Sequence, residues 1–419
     1  MRDQPGVPIT SQAASSEVSA VMSKDTARKR LQSIDLLRGL AIVLMALDHT
    51  RDFFGASGPN PRDITDPAVF LTRWITHFCA PTFIFLAGAS AYLYGIRTRS
   101  TGQLSWFLLT RGLWLVFIEF TLVRFGWTLT FDLKLLFAGV IWVIGASMIL
   151  LAGLVYLPQR AIAAIALIMI AGHNLLDGVR AERFGNLGWL WNFLHQPAQL
   201  HIGAESAFLV GYALVPWAGV MAMGYALGPV FKLDPAVRRH NLLWTGTALN
   251  AGFVLLRAAN LYGDPAPWGA QSSSLATLLS FINCEKYPPS LLYLMMTLGP
   301  VLILLALFEH VHGRIADWLT TFGRVPFLFY VVHLPVIHAL AVGLAWLTVG
   351  DAGFSLGWRS RRGWDYGTAC AFGGHAPVLV GLCLHPRCRR RVQTRRGAWR
   401  HCLQGAVGYS RHDPHGGDL

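Results

Sequence analysis

An all-α, polytopic transmembrane bundle of about nine to ten spans with a cytoplasmic N-terminus is the fold this sequence predicts. Three observations carry that expectation. Only 14% of the 419 residues are charged while 53% are hydrophobic, when a soluble domain carries about a quarter charged residues. The mean hydropathy is +0.44. The apolar residues also fall in long uninterrupted runs, near 34–54, 74–96, 104–124, 133–157, 161–177, 206–231, 241–262, 289–309 and 325–349. Each run is close to the ~20 residues that cross a ~30 Å hydrocarbon layer at 1.5 Å per residue. This composition excludes a disordered chain, a coiled coil and an ordinary water-soluble enzyme. Six cysteines, four of them after Gly350, do not form a disulfide scaffold.

Residues 1–33 are polar and read as a disordered cytoplasmic tail, residues 34–350 as the transmembrane domain. With the N-terminus inside, inner segments carry fifteen Lys and Arg against nine outside, led by Arg28-Lys29-Arg30. The formal charge of +13 is thereby assigned to cytoplasmic loops and lipid phosphates, and no nucleic acid is expected. After Gly350 the character changes: eleven of the 35 basic residues lie there, and the one apolar stretch, Thr368–Leu384, is broken by Gly373, Gly374 and Pro377. Residues 351–419 read as an atypical basic tail, with a tenth span or a change of reading frame near Arg359–Asp365 as the alternatives.

The first span places chemistry where lipid should be. Asp35 and Arg38 are three apart and share a helix face, and Asp48, Arg51 and Asp52 repeat the arrangement beside His49. Arg38 and Asp48 are separated by ~15 Å of helix, half the hydrocarbon thickness. Both clusters cannot reach opposite surfaces, so at least one faces the bundle interior. Arg73 and His77 share a face at the outer edge of the second span, with Pro81 positioned to kink the helix beneath them. Histidines beside carboxylates suit acid–base work; the same ion pairs also read as devices that only fix helix register. Further polar positions are Arg257 and Asn260 at the end of one span, Lys286 before another, and Arg324 and His333 at the start of the last. His195 and His201 lie in an outer loop that could contact a metal or substrate. No HExxH, CxxC pair, GxSxG or phosphate-cradling loop is present, and no metal is expected.

These segments, in order, resemble the heparan-α-glucosaminide N-acetyltransferase catalytic-domain family, in its bacterial, mostly uncharacterised membrane branch. The resemblance is carried by Ser33-Ile-Asp-Leu-Leu-Arg-Gly39 with Asp48-His49, by Leu71-Thr-Arg-Trp-Ile-Thr-His-Phe-Cys-Ala-Pro81, and by Val215-Pro-Trp-Ala-Gly219. Lys286-Tyr-Pro-Pro-Ser290 and Gly323-Arg-Val-Pro326 with His333 continue it to about residue 350. It implies an integral protein of the bacterial inner membrane that moves acetyl from cytosolic acetyl-CoA to an amino sugar or other glycan on the outer side, as an N- or O-acetyltransferase. The family's catalytic histidine follows the first span, where the loop Gly55–Asp66 holds none. The role then falls to His49, with Asp48, Asp52 and His77 completing the catalytic set. Arg51, Arg73, Arg257, Asn260 and Lys286 are the candidates for substrate binding, and Arg38, Arg324 and His333 for the donor. Membrane lipids and the acceptor are the expected partners, with homo-oligomerisation open. The rival reading is a transporter whose buried charges line a polar path.

Overall fold

The computed structural model describes residues 10–54, 63–202 and 206–349. Its helices are α1 (Thr10–Phe54), α2 (Pro67–Thr76), α3 (Cys79–Thr98), α4 (Thr101–Ile118), α5 (Arg124–Thr128), α6 (Val140–Leu154) and α7 (Gln159–Gly172). Then follow α8 (Gly188–Leu194), α9 (Leu214–Ala226), α10 (Pro235–Ala259), α11 (Ser274–Ile282), α12 (Leu291–Leu307), α13 (Arg314–Arg324) and α14 (Pro326–Val349). Residues 10–33, expected to be a disordered tail, continue α1; no Gly or Pro interrupts them. Residues 1–9, the loop 55–62 and the basic tail from 350 lie outside the described residues.

Among the described residues, six helical stretches are long and apolar enough to cross a membrane: Pro67–Thr98, Thr101–Thr128, Gln159–Leu176, Leu214–Lys232, Pro235–Ala259 and Pro326–Leu344. The protein is therefore an integral membrane protein. The runs 133–157 and 289–309 supply only the shorter apolar helices α6 and α12, and the run 34–54 carries too many charges to qualify by composition. The expectation of a purely helical fold needs one correction. A small three-stranded sheet joins β1 (Leu135–Ala138), β2 (Ala198–Ile202) and β3 (Ser206–Val210) in the order β1-β3-β2. Strand β3 runs parallel to β1 and antiparallel to β2. The apolar runs 133–157 and 206–231 concealed β1 and β3, because four or five apolar residues carry no periodicity that separates strand from helix.

Local chemistry sets the helix ends. Asp66 accepts the Val69 amide at 3.1 Å with Pro67 at the first helical position, and Ser290 caps α12 by accepting from Tyr293 at 3.0 Å. Between α2 and α3 the chain breaks at His77-Phe78. Pro81 has no amide to return to the His77 carbonyl, and that carbonyl instead accepts the Tyr293 hydroxyl at 2.7 Å.

Small residues let the helices approach closely. A Cβ at Gly88 in α3 would collide with the Met221 carbonyl of α9, and one at Gly224 with the Phe85 carbonyl. Gly39 and Gly323 make the same contact between α1 and α13, against Leu319 and Asp35. We expect Gly88→Val to force α3 from α9 and cost about 1–3 kcal/mol. Gly153→Ala, which meets nothing within 4 Å, should leave the unfolding temperature unchanged or raised. Thermal unfolding in detergent reads both.

Candidate functional site

Helix α1 runs antiparallel to α3, and its two charged clusters meet different levels of that helix. At one level Arg38 donates to Asp35 at 3.1 Å, to the Leu86 carbonyl at 3.4 Å and to the Ser90 hydroxyl. Arg324, exposed at the end of α13, lies within electrostatic reach of Asp35. At the other level Arg51 bridges Asp48 and Asp52, the second at 3.3 Å. Asp48 also accepts the Thr76 hydroxyl at 3.0 Å. Between the two levels the Cys79 thiol contacts the Ala41 carbonyl at 3.5 Å.

His49 faces α14. Its Nδ1 lies 2.7 Å from Nε2 of His333, the two rings nearly parallel with centroids 4.9 Å apart. Trp127 stands edge-on to His49 at 5.1 Å and Tyr330 at 6.2 Å. The other nitrogen of His333, Nδ1, is 2.9 Å from the Phe329 carbonyl. A carbonyl only accepts, so this nitrogen carries hydrogen. With both rings neutral, Nε2 of His333 is then an acceptor and Nδ1–H of His49 is its donor. The chain of bonds leaves the lone pair of His49 on Nε2.

His333, expected with Arg38 and Arg324 at the donor end, thus stands against His49 instead. Lys286 is 8% exposed and within electrostatic reach of both His49 and Asp52. His77 is buried beside Tyr293, ring centroids 5.4 Å apart, and Arg73 reaches the same tyrosine electrostatically. Arg257 and Asn260 are not brought to this cluster. Arg257 is 2% exposed and donates to the carbonyls of Ala266, Ser280, Phe281 and Asn283 at 2.8–3.2 Å, with Asp264 at 3.6 Å. Asn260 exchanges hydrogen bonds with the backbone of Trp268. Both hold the 263–283 loop. Burial pushes the Cys284 thiol upward, beside Asp264 and Arg257, which makes it a poor nucleophile.

Three contributors escaped the sequence reading. Glu119 is 1% exposed and accepts the Gly139 and Trp142 amides at 3.2 and 2.9 Å, closing the start of α6. A lone acid inside an apolar run was the available signal. Trp127 and Tyr330, which wall His49, gave none, since aromatics are ordinary in a membrane helix.

Polar side chains gathered inside an integral membrane bundle define a membrane protein with a buried polar cluster. Residues 30–258 match the family model for heparan-alpha-glucosaminide N-acetyltransferase, catalytic, and the chain belongs to that family, with a membrane acetyltransferase-like function. The match includes His49 and His77, while α14 with His333 lies beyond it. No curated protein matches the chain.

The Arg257 arrangement is directly testable. Arg257→Met leaves Asp264, whose side chain is 1% exposed, without its cation and removes the guanidinium donor from four carbonyls, of which Ser280 keeps the Asn283 amide. The expected loss is about 3–5 kcal/mol, read as a lowered unfolding temperature in detergent; an unchanged temperature would contradict the clamp.

Proposed function

We propose that the protein is an acetyltransferase that takes acetyl from cytosolic acetyl-CoA and delivers it across the bilayer to the amine or hydroxyl of an amino sugar or other glycan. The observation that carries this reading is the His49–His333 pair beside the Asp48–Arg51–Asp52 cluster. In this reading residues 34–350 form the catalytic unit in a bacterial inner membrane, with the N-terminus inside. The segment 34–54 of α1, together with α6 and α12, brings the crossings to nine. His49 then sits in the outer half, and Arg38 with Arg324 lies on the side of the donor phosphates.

His49 Nε2 is the group that acts. As a base it takes the acceptor's proton while that atom attacks the thioester carbonyl and the thiolate leaves. As a relay it attacks the carbonyl itself, expels the thiolate and later yields acetyl to the acceptor. In either case the imidazole gains positive charge, and its Nδ1 proton can pass to His333 Nε2. Asp48 and Asp52 offset that charge; Lys286, Arg73 and His77 are placed for the acceptor side. Membrane lipids surround the unit.

His49→Ala is expected to abolish transfer of labelled acetyl from acetyl-CoA to an added amino sugar in inverted vesicles, with expression and unfolding temperature near wild type. His333→Phe removes the acceptor that fixes the His49 tautomer and should lower kcat by about 10²–10⁴-fold with KM little altered. Full turnover in His49→Ala would end the assignment.

A further inference from the structure

A second histidine cluster lies apart from His49. His173 follows α7, Asp177 comes four residues later, and His195 follows α8. One donor atom from each stands within 4.8 Å of the other two. His173 is 1% exposed, and neither of its ring nitrogens makes a hydrogen bond among the described residues, although the Pro289 carbonyl flanks the ring. With the Pro289 carbonyl beside one ring nitrogen at most, a buried imidazole in that position has fewer partners than such groups normally have. Asp177 is already oriented. Its Oδ2 accepts from Asn174 at 2.9 Å, Asn174 in turn accepts the Leu291 amide at 2.9 Å, and Oδ1 is left 3.7 Å from His195 Nε2. His195 is 3% exposed, stacks on Trp191 with centroids 5.2 Å apart, and places Nε2 2.8 Å from the His173 carbonyl.

We propose that His173, Asp177 and His195 bind a divalent transition metal, zinc before others, with water in the fourth position. Two imidazoles and one carboxylate are a donor set that zinc favours over magnesium or calcium. Tetrahedral ligands 2.0–2.2 Å from zinc stand about 3.4 Å apart. The 3.7 Å separation already approaches that value, and the 4.8 Å spread needs about 1.4 Å of closure to reach it. On loading, His195 gives its Nε2 lone pair to the ion. The proton moves to Nδ1, and the bond to the His173 carbonyl is released. Asn174 orients the carboxylate, and the Pro289 carbonyl is placed to accept from the uncoordinated nitrogen of His173, the outer support that metal-bound ligands commonly have. The ion would tie the segment after α7 to the end of α8 and, through Asn174, to the start of α12. The metal proposed for this cluster departs from the expectation from sequence that no metal is bound.

The test uses the full chain in detergent, stripped with a chelator and titrated with cobalt(II) alone and then zinc(II) alone. One equivalent per chain, visible absorption of tetrahedral cobalt(II) displaced by zinc, and a raised unfolding temperature are expected. Asp177→Asn and His173→Gln should each weaken uptake by at least about 100-fold, outer-support losses alone reaching 10–100-fold. His333→Gln, which alters the other pair of histidines, should keep the full equivalent. The site is refuted if the folded wild-type chain takes up no cobalt, if both cluster variants bind as wild type does, or if His333→Gln removes the equivalent. The wild-type titration decides the matter even where a variant fails to fold.

Discussion

The placement of five charges along residues 35–52 of one helix constrains the rest of the structure. A helix in lipid satisfies its backbone internally, but Asp35, Arg38, Asp48, Arg51 and Asp52 need partners or water. The ten residues between Arg38 and Asp48 give ~15 Å of rise, so the two clusters meet different levels of the neighbouring helices. α1 is therefore held by α3 and α13 at one level and by α2 and α14 at the other. The contacts are polar where the charges are, at Ser90 and Thr76. They are glycine-lined where the backbones must meet, at Gly39 and Gly323. Ions in a low dielectric are costly unless paired, so these partners specify how the helices assemble.

The same rule governs the junctions between helices and loops. Arg124, 5% exposed, gathers the carbonyls of Thr130 and Leu135 at 3.1 and 2.9 Å, and Arg257 does so for the 263–283 loop. Glu119 performs the converse, taking amides at the start of α6. In each case one charged side chain satisfies backbone groups that a non-helical segment leaves open. These three residues explain how irregular chain and a short sheet are accommodated within so apolar a protein.

At the candidate centre the hydrogen-bond directions matter more than proximity. The Phe329 carbonyl fixes one proton, that proton fixes the acceptor on His333, and the acceptor fixes the donor on His49. A free lone pair on Nε2 follows from a carbonyl on α14 that is distant in sequence. Trp127 and Tyr330 flank the imidazole with apolar surface, which limits its hydration and strengthens the local electrostatics.

Much of this was legible before any coordinates. Charge depletion and run length indicated a membrane bundle, the spacing of Arg38 and Asp48 required an interior polar pocket, Pro81 foretold the break below His77, and the motifs from Ser33 through Gly219 indicated the family. These features are local: helix rise, side-chain period and a missing amide are properties of consecutive residues. Tertiary structure alone decided that His333 belongs with His49, that Arg257 and Asn260 serve a loop, that Glu119 closes α6, and that short apolar runs pair as strands. Each of those depends on which distant segment a side chain meets. Burial makes that meeting obligatory for a charge or an imidazole, but the sequence spacing of one helix does not identify the partner.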